Sequence, residues 1–235
     1  FIAQLKDNEK MVAIGSMAQG IAHELGAPLS VIDGRARRLQ RSGQLDQQAL
    51  RHVTGIRAQV DRLTRTVRQL LDYCRPAATT PRTLAPAQLL TDVIAAIEPE
   101  LETLQRQLRS EIAADLPNIH GDAGRLELAL LNLIRNALQA ANSEVVVAAS
   151  ADATHLYIRI SDDGPGLAPE LSLSALLEPF FTTKSPGEGT GLGLAIVQTV
   201  SDEHNAQLSF KNRAQGGCEV CLTLPLSDNS RDASA

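Results

Sequence analysis

Leu50, Val53, Ile56, Val60, Leu63, Val67 and Leu70 recur at gaps of three and four residues. That period gathers side chains onto one stripe of an α-helix. The spacing predicts a helix from about Leu45 to Tyr73. Upstream, residues 1–42 hold few helix breakers and read as one long helix that stops at Ser42-Gly43. Two helices joined by so short a turn must lie antiparallel. A single hairpin cannot cover its own apolar stripes, whereas a second copy would complete a four-helix bundle. A homodimer is therefore expected.

The first helix carries an unusual face. At about 100° per residue, Ser16, Gln19, Gly20, Gly26, Ala27 and Ser30 fall within roughly 60° of His23. All are small or polar, while Ile14, Ala18, Ile21, Leu25 and Ile32 occupy the other side. His23 is thus set on an open face with Glu24 beside it. Pro28 removes the N–H partner of the Glu24 carbonyl, so a bend is expected just below the imidazole. By itself the His-Glu pair reads first as a solvated surface pair; it is the rest of the chain that reverses this.

Of the 235 residues, 43% are hydrophobic, enough for a packed core, and the net charge is −5. With a pI of about 5.6 the chain does not read as a dedicated nucleic-acid binder. No apolar run approaches the roughly 18 residues that span a membrane, so no membrane contact is expected from this stretch. The chain opens in helical register and reads as a piece of a longer helix, so any sensory or membrane part is expected outside it. Cys74, Cys218 and Cys221 fit a reducing compartment. Cys218 and Cys221 form a C-x-x-C match inside an alternating run, where residues three apart point to opposite faces of a strand. No second ligand pair follows them, so they read as structural.

Arg75 to Pro81 is a linker by composition, and the pattern changes beyond it. A helix is expected between Leu84 and Gln107, a strand at Leu108–Ile112, and a helix from an Asp122 N-cap to Ala141. Strands are expected at Val145–Ala149 and Leu156–Ile160, then a helix from Leu192 to His204. Two more strands fall near Gln207–Lys211 and Glu219–Leu224. The order implies an α+β domain over 82–227, preceded by a helical region over 1–75 with a linker at 76–81, and followed by a polar tail at 228–235.

Three motifs stand in this domain. Asn132 and Asn136 share a helix face, where two amide oxygens suit a hard cation or phosphate-bound water; a solvated Asn pair would look the same. Asp162-Asp-Gly164-Pro-Gly166 follows a strand. Its first carboxylate could accept from an exocyclic amine, and its glycines let backbone approach a ring, although an ordinary Asp-Gly turn has this composition too. Gly187-Glu-Gly189-Thr190-Gly191-Leu192-Gly193 runs into a helix start, presenting backbone N–H groups to anionic oxygen. It is neither a Walker A loop nor G-x-G-x-x-G. Between them, Glu178-Pro-Phe180-Phe181-Thr-Thr-Lys184 reads as a lid over a ligand, anchored by Phe180 and Phe181 and ending on Lys184, a candidate nucleotide contact.

Taken together, these motifs resemble the catalytic core of bacterial two-component sensor histidine kinases over essentially all of residues 8–226. His23-Glu24-Leu25 with Pro28-Leu29 resembles the H box and Asn132–Asn136 the N box. Asp162–Gly166 resembles the G1 box, Phe180-Phe181 the F box and Gly189–Gly193 the G2 box. The run from Glu178 to Lys184 is most similar to the nitrogen-regulation subgroup. The resemblance implies a dimerisation and histidine-phosphotransfer bundle, followed by an α+β sandwich of Bergerat ATP-binding type. It implies His23 as phosphoacceptor and Glu24 as its hydrogen-bond partner and general base. It further implies Mg2+ on Asn136, Asn132 assisting at the phosphates, and Asp162 reading adenine. Gly189, Thr190, Gly191, Leu192 and Gly193 would cradle the phosphates of ATP. The implied partner is a response-regulator receiver domain, and the implied location is cytoplasmic.

Two alternatives are weighed on residues. ATP hydrolases of this fold carry a glutamate base one turn before the metal Asn, where this chain has Asn132. A scaffold with a dead nucleotide domain would not need Asn136, Asp162 and the Gly189–Gly193 run. One departure from the family pattern concerns the reverse reaction. Relatives that dephosphorylate their regulator are thought to orient water with an Asn or Thr one turn after the histidine; here that position is Ala27.

Overall fold

The computed structural model describes residues 25–43, 45–74, 81–184 and 189–226. It divides into two compact units. His23, Glu24 and the linker residues 75–80 lie outside the described residues, as does the tail from 227 onward.

In the first unit, α1 runs through 25–41 and α2 spans Gln47–Cys74. Gly43 takes φ 66°, a left-handed conformation that closes the first helix cheaply only without a Cβ. Asp46 starts the second, its Oδ1 accepting from the Ala49 N–H at 2.7 Å. Ala36, Val53 and Val60 are buried, while Val31, Leu39, Leu50, Ile56 and Leu63 are exposed. The stripe read from the sequence is thus split: Val53 and Val60 close the hairpin, and the residues between them face outward. Asp33 collects Arg37 at 2.6 Å and Arg57 at 3.1 Å, tying the two helices across their polar side. These two guanidiniums, with that of Arg57 placed first, hold the Asp33 carboxyl below its ordinary range.

The second unit is an α/β sandwich. Its elements in chain order are β1 (Arg82–Leu84), α3 (Pro86–Leu104), β2 (Gln107–Ile112), β3 (Ile119–Gly121), α4 (Ala123–Ala140), β4 (Glu144–Ala151), β5 (His155–Asp162), α5 (Leu173–Leu177), α6 (Gly193–Glu203), β6 (Gln207–Asn212) and β7 (Cys218–Pro225). The main sheet has the order β2-β4-β5-β7-β6, with β2 and β4 parallel and the other neighbours antiparallel. β1 and β3 form a separate antiparallel pair.

The alternation that marked the strands is the alternation of burial. Val145, Val147 and Ala149 of β4, Leu156, Ile158 and Ile160 of β5, and Leu222 and Leu224 of β7 all point inward. Against them lie Leu126, Leu130, Leu133, Ile134 and Leu138 of α4, with Ile196, Val197 and Val200 of α6. Burying a Leu or Ile side chain contributes about 2 kcal/mol, so this layer is the main source of the unit's stability. β1, β3 and α5 are absent from the sequence reading; each is five residues or shorter, too short to establish a period.

α4 and α6 pack antiparallel, and their far ends are joined by polar contacts. Asp122 caps α4, its Oδ1 accepting from the Arg125 N–H at 3.1 Å. The Asp122 N–H in turn donates to His204 Nε2 at 2.9 Å. That assignment makes Nδ1 the protonated ring nitrogen, and it donates to the Val200 carbonyl at 2.8 Å. Arg125 reaches Glu203 with two guanidinium nitrogens, Nε to Oε2 at 2.8 Å and Nη2 to Oε1 at 2.7 Å.

Candidate nucleotide site

Asn132 and Asn136 lie on α4 one turn apart, as the spacing predicts, but in different surroundings. Asn132 is only 8% exposed, and its Nδ2 donates to the Leu128 carbonyl at 2.8 Å. Asn136 is half-buried. Both sit against Gly193, the first residue of α6. A Cβ placed there would stand 3.1 Å from Asn132 Oδ1 and 3.6 Å from Asn136 Nδ2. The antiparallel pairing of α4 and α6 therefore sets two carboxamides beside a helix N-terminus. The amide dipoles and free N–H groups there favour anions.

Asp162 closes β5 and is 5% exposed. Its Oδ1 accepts from the Gly164 N–H at 2.8 Å and the Cys218 N–H at 3.2 Å. Both bonds fall on one oxygen, so the other stays available to an incoming donor. Gly164 must be glycine, because a Cβ would fall 2.2 Å from the Ala140 carbonyl oxygen. The turn is fixed from the α4 side as well. Asp163 accepts from the Asn142 N–H at 2.8 Å and from both the N–H and hydroxyl of Ser143. The Ser143 hydroxyl, then its N–H, hold the Asp163 carboxyl well below the usual range, so it stays ionised at neutral pH. Burial first, and then the Asp162 charge, push the Cys218 thiol up to about 11. A thiol so placed is protonated at neutral pH and is not a nucleophile, in keeping with a structural reading of the C-x-x-C match.

Lys184 and Gly189 to Leu192 belong to the first unit, and 185–188 are outside the described residues. Within that unit Thr190 Oγ1 donates to Gln69 Oε1 of α2 at 2.7 Å. Lys184 is half-buried and Leu192 fully buried. Phe180 is not an anchor: it is 65% exposed with φ 68°, while Phe181 is half-buried. The structure thus brings together Asn132, Asn136 and Gly193, and separately Asp162, Gly164 and Gly166. His23 and Glu24 of the H box lie outside the described residues. Sequence reasoning missed Asn212, whose carboxamide brackets the Leu167 backbone. Its only local signal was an Asn at a strand end before a Gly-rich turn.

Residues 13–78 match the His Kinase A (phospho-acceptor) domain, and residues 121–228 match the histidine kinase-, DNA gyrase B- and HSP90-like ATPase domain. The sensor histidine kinase ZraS of Escherichia coli (strain K12) is 32% identical over 231 residues, 97% of this chain and 49% of that protein. Sporulation kinase E of Bacillus subtilis (strain 168) is 25% identical over 232 residues, 97% of this chain and 31% of that protein. The chain spans about half or less of the length of these relatives. Among solved structures, full-length ShkA in complex with AMPPNP superposes with a TM-score of 0.72 at 27% identity, covering 89% of this chain and 45% of that one. The histidine kinase ThkA in complex with response regulator protein TrrA has the same fold, with a TM-score of 0.69 at 21% identity over 98% of this chain and 67% of that one.

Proposed function

The chain is the core of a two-component histidine kinase, and from that premise we propose that it moves the γ-phosphoryl group of ATP to His23 and then to an aspartate of a response-regulator receiver domain. The observation that carries this reading is the pairing of Asn132 and Asn136 with the N-terminus of α6, in a chain whose phospho-acceptor region includes His23.

The residues fit ATP. The open oxygen of buried Asp162 suits the exocyclic amine of adenine. Gly193 and the N–H groups at the start of α6 suit phosphate oxygens, and Asn136 and Asn132 lie beside them. Asn136 is the proposed Mg2+ ligand; a bound Mg2+ would neutralise charge on the phosphates. Gly164 and Gly166 are proposed beside the base, where they let the loop pack against Ala140 and Asn212. Gly189, Thr190, Gly191, Leu192 and Lys184 are proposed as the remaining phosphate contacts.

An unperturbed imidazole is largely neutral at pH 7, and His23 attacks the γ-phosphorus with one ring nitrogen. The N–P bond forms as the bond to the bridging oxygen breaks, and ADP leaves. Glu24 orients the ring and takes the proton from the other nitrogen. Asn132 stands where hydrolases of this fold place a glutamate base, and its amide is engaged with Leu128, which favours transfer to histidine over hydrolysis. The decisive test is incubation with γ-labelled ATP: the label should be lost in acid and kept in base. A label with the opposite stability, or none, would overturn the reading.

The domain assignment belongs to the same proposal: a phosphotransfer hairpin over 1–75, a linker at 76–81, and an ATP-binding domain over 82–227. Exposed Val31, Ile32, Leu39, Leu50, Ile56 and Leu63 support homodimerisation through the hairpin. No helix among the described residues is long and apolar enough to cross a membrane; a cytoplasmic location is proposed because ATP and the receiver partner are found there. The Glu178–Lys184 run supports placement near the nitrogen-regulation subgroup.

Two further outcomes are expected. Arg37 and Arg57 are committed to Asp33, whereas Arg38 is exposed on α1 and can steer an acidic receiver pocket by long-range attraction. Arg38→Glu should slow phosphotransfer several-fold at low salt and less at high salt; salt-independent, unchanged transfer would show that Arg38 plays no part. Ala27 is exposed and offers no donor or acceptor. Phosphatase activity should be weak, and Ala27→Thr should raise dephosphorylation of the phospho-regulator while autophosphorylation holds. Strong phosphatase activity in the chain as it stands would assign the water-orienting role elsewhere.

A further inference from the structure

Beyond Asp162, β5 has no ladder partner, yet the loop to Leu167 is held at both ends by one hairpin. Asn212, the last residue of β6, pairs in register with Cys218, the first of β7. From this single rung Cys218 N–H reaches Asp162 Oδ1 at 3.2 Å. From the same rung Asn212 Oδ1 accepts the Leu167 N–H at 2.7 Å, and Asn212 Nδ2 donates to the Leu167 carbonyl at 2.8 Å. The carboxamide satisfies both backbone groups of Leu167, as a neighbouring strand would.

The turn joining β6 to β7 adds a third hold. Arg213 Nη1 donates to the Asp162 carbonyl at 2.8 Å. Arg213 is braced in turn, its N–H donating to the Gly217 carbonyl at 3.0 Å and its carbonyl accepting from the Gly216 N–H at 3.1 Å. The approach is as close as backbone allows. A Cβ on Gly217 would lie 1.9 Å from the Asp162 carbonyl oxygen, and one on Gly166 would lie 2.8 Å from Asn212 Oδ1. Gly166 and Gly217 also take φ 78° and 88°, which other residues adopt at a cost.

We infer that Asn212 and Arg213 are positioning residues that set base selectivity by fixing the Asp162–Leu167 loop against the β6–β7 hairpin. The inference rests on the reading of Asp162 as the adenine acceptor. Both side chains act on the backbone of the loop, at Leu167 and at Asp162, rather than on the Asp162 carboxylate. A carboxylate accepts from the amine of adenine but repels the carbonyl that guanine presents at the same position. That discrimination holds only while the carboxylate cannot retreat and admit a water between itself and the ring. A loop fixed at Asp162 and again at Leu167 denies it that freedom.

The test is calorimetric titration of the chain with Mg-ATP and Mg-GTP, for wild type and for Asn212→Ala, Arg213→Ala and Arg213→Lys. Asn212→Ala removes two hydrogen bonds and should cut the ATP-over-GTP ratio about tenfold, through weaker ATP binding with GTP nearly unchanged. Arg213→Ala should act in the same direction, and Arg213→Lys, which keeps a charged donor, should restore most of the ratio. Thermal unfolding of each variant separates a lost fold from a lost selectivity, and the Arg213 pair serves if Asn212→Ala does not fold. An unchanged ratio in both alanine variants, or a parallel fall in ATP and GTP affinity, overturns the inference. A wild-type chain that binds ATP without preferring it to GTP overturns the Asp162 reading itself.

Discussion

Asn136→Ala is expected to lower labelling of His23 from Mg-ATP by at least about a hundredfold, since it removes a proposed metal ligand and even outer-shell partners of such ligands cost 10–100-fold. The helix should not suffer. Alanine is the best helix former and asparagine among the poorer ones, and Asn136 is half-buried on a flank of α4 rather than in its core. Unfolding temperature and dimer mass should therefore match wild type while labelling fails. Asn132→Ala makes an instructive partner. Asn132 is buried and bonded to Leu128, so its loss should weaken both the fold and labelling. Labelling at the wild-type rate by the Asn136 variant would move the metal to another ligand.

Glu203→Ala should cost the second unit about 3 kcal/mol, or roughly 10 °C in unfolding temperature for a domain of this size. The Arg125 side chain is 6% exposed and meets Glu203 through two guanidinium nitrogens. Removing the carboxylate takes two charge-assisted hydrogen bonds from a buried cation. The pair Glu100–Arg135 has the same bidentate form but side-chain exposures of 37% and 44%. Glu100→Ala should accordingly cost under about 1 kcal/mol. Denaturant unfolding of the two variants side by side measures the difference. Equal losses would mean that burial of Arg125 contributes nothing to the strength of its pair.

The sheet was legible because burial writes itself into the strands. Val145, Val147 and Ala149 against Val146, Ala148 and Ser150 is a period-two record of which face meets α4. The Asp122 cap was legible for a local reason too, since a carboxylate at the foot of an apolar-periodic run satisfies an amide three residues on. The site was legible in residue types but not in burial. Asn132 and Asn136 lie only about 40° apart on a helical wheel, and the spacing does not tell that beside Gly193, far along the chain, the first is buried and the second half-buried. Phe180 read as an anchor by composition, yet its left-handed backbone turns it outward. The clamp at Asn212 spans 45 residues to Leu167, and no local pattern announces a pairing of that kind.

The rung that holds Leu167 and the packing that seats Gly193 have a consequence for how relatives of this chain can diverge. Leu167 lies just past the end of β5, and Gly193 is the first residue of α6. The stretch between them is held at one end by a carboxamide on β6 and at the other by two carboxamides on α4. Insertions or deletions from Ala168 to Leu177, ahead of the Glu178–Lys184 run and the proposed phosphate contacts, change a tether whose moorings stay put. The cost of lengthening such a tether grows only slowly, roughly 0.6 kcal/mol for each doubling. Selection can therefore rewrite that stretch freely to suit different upstream sensors or receivers, without relocating the carboxylate at one mooring or the amides at the other.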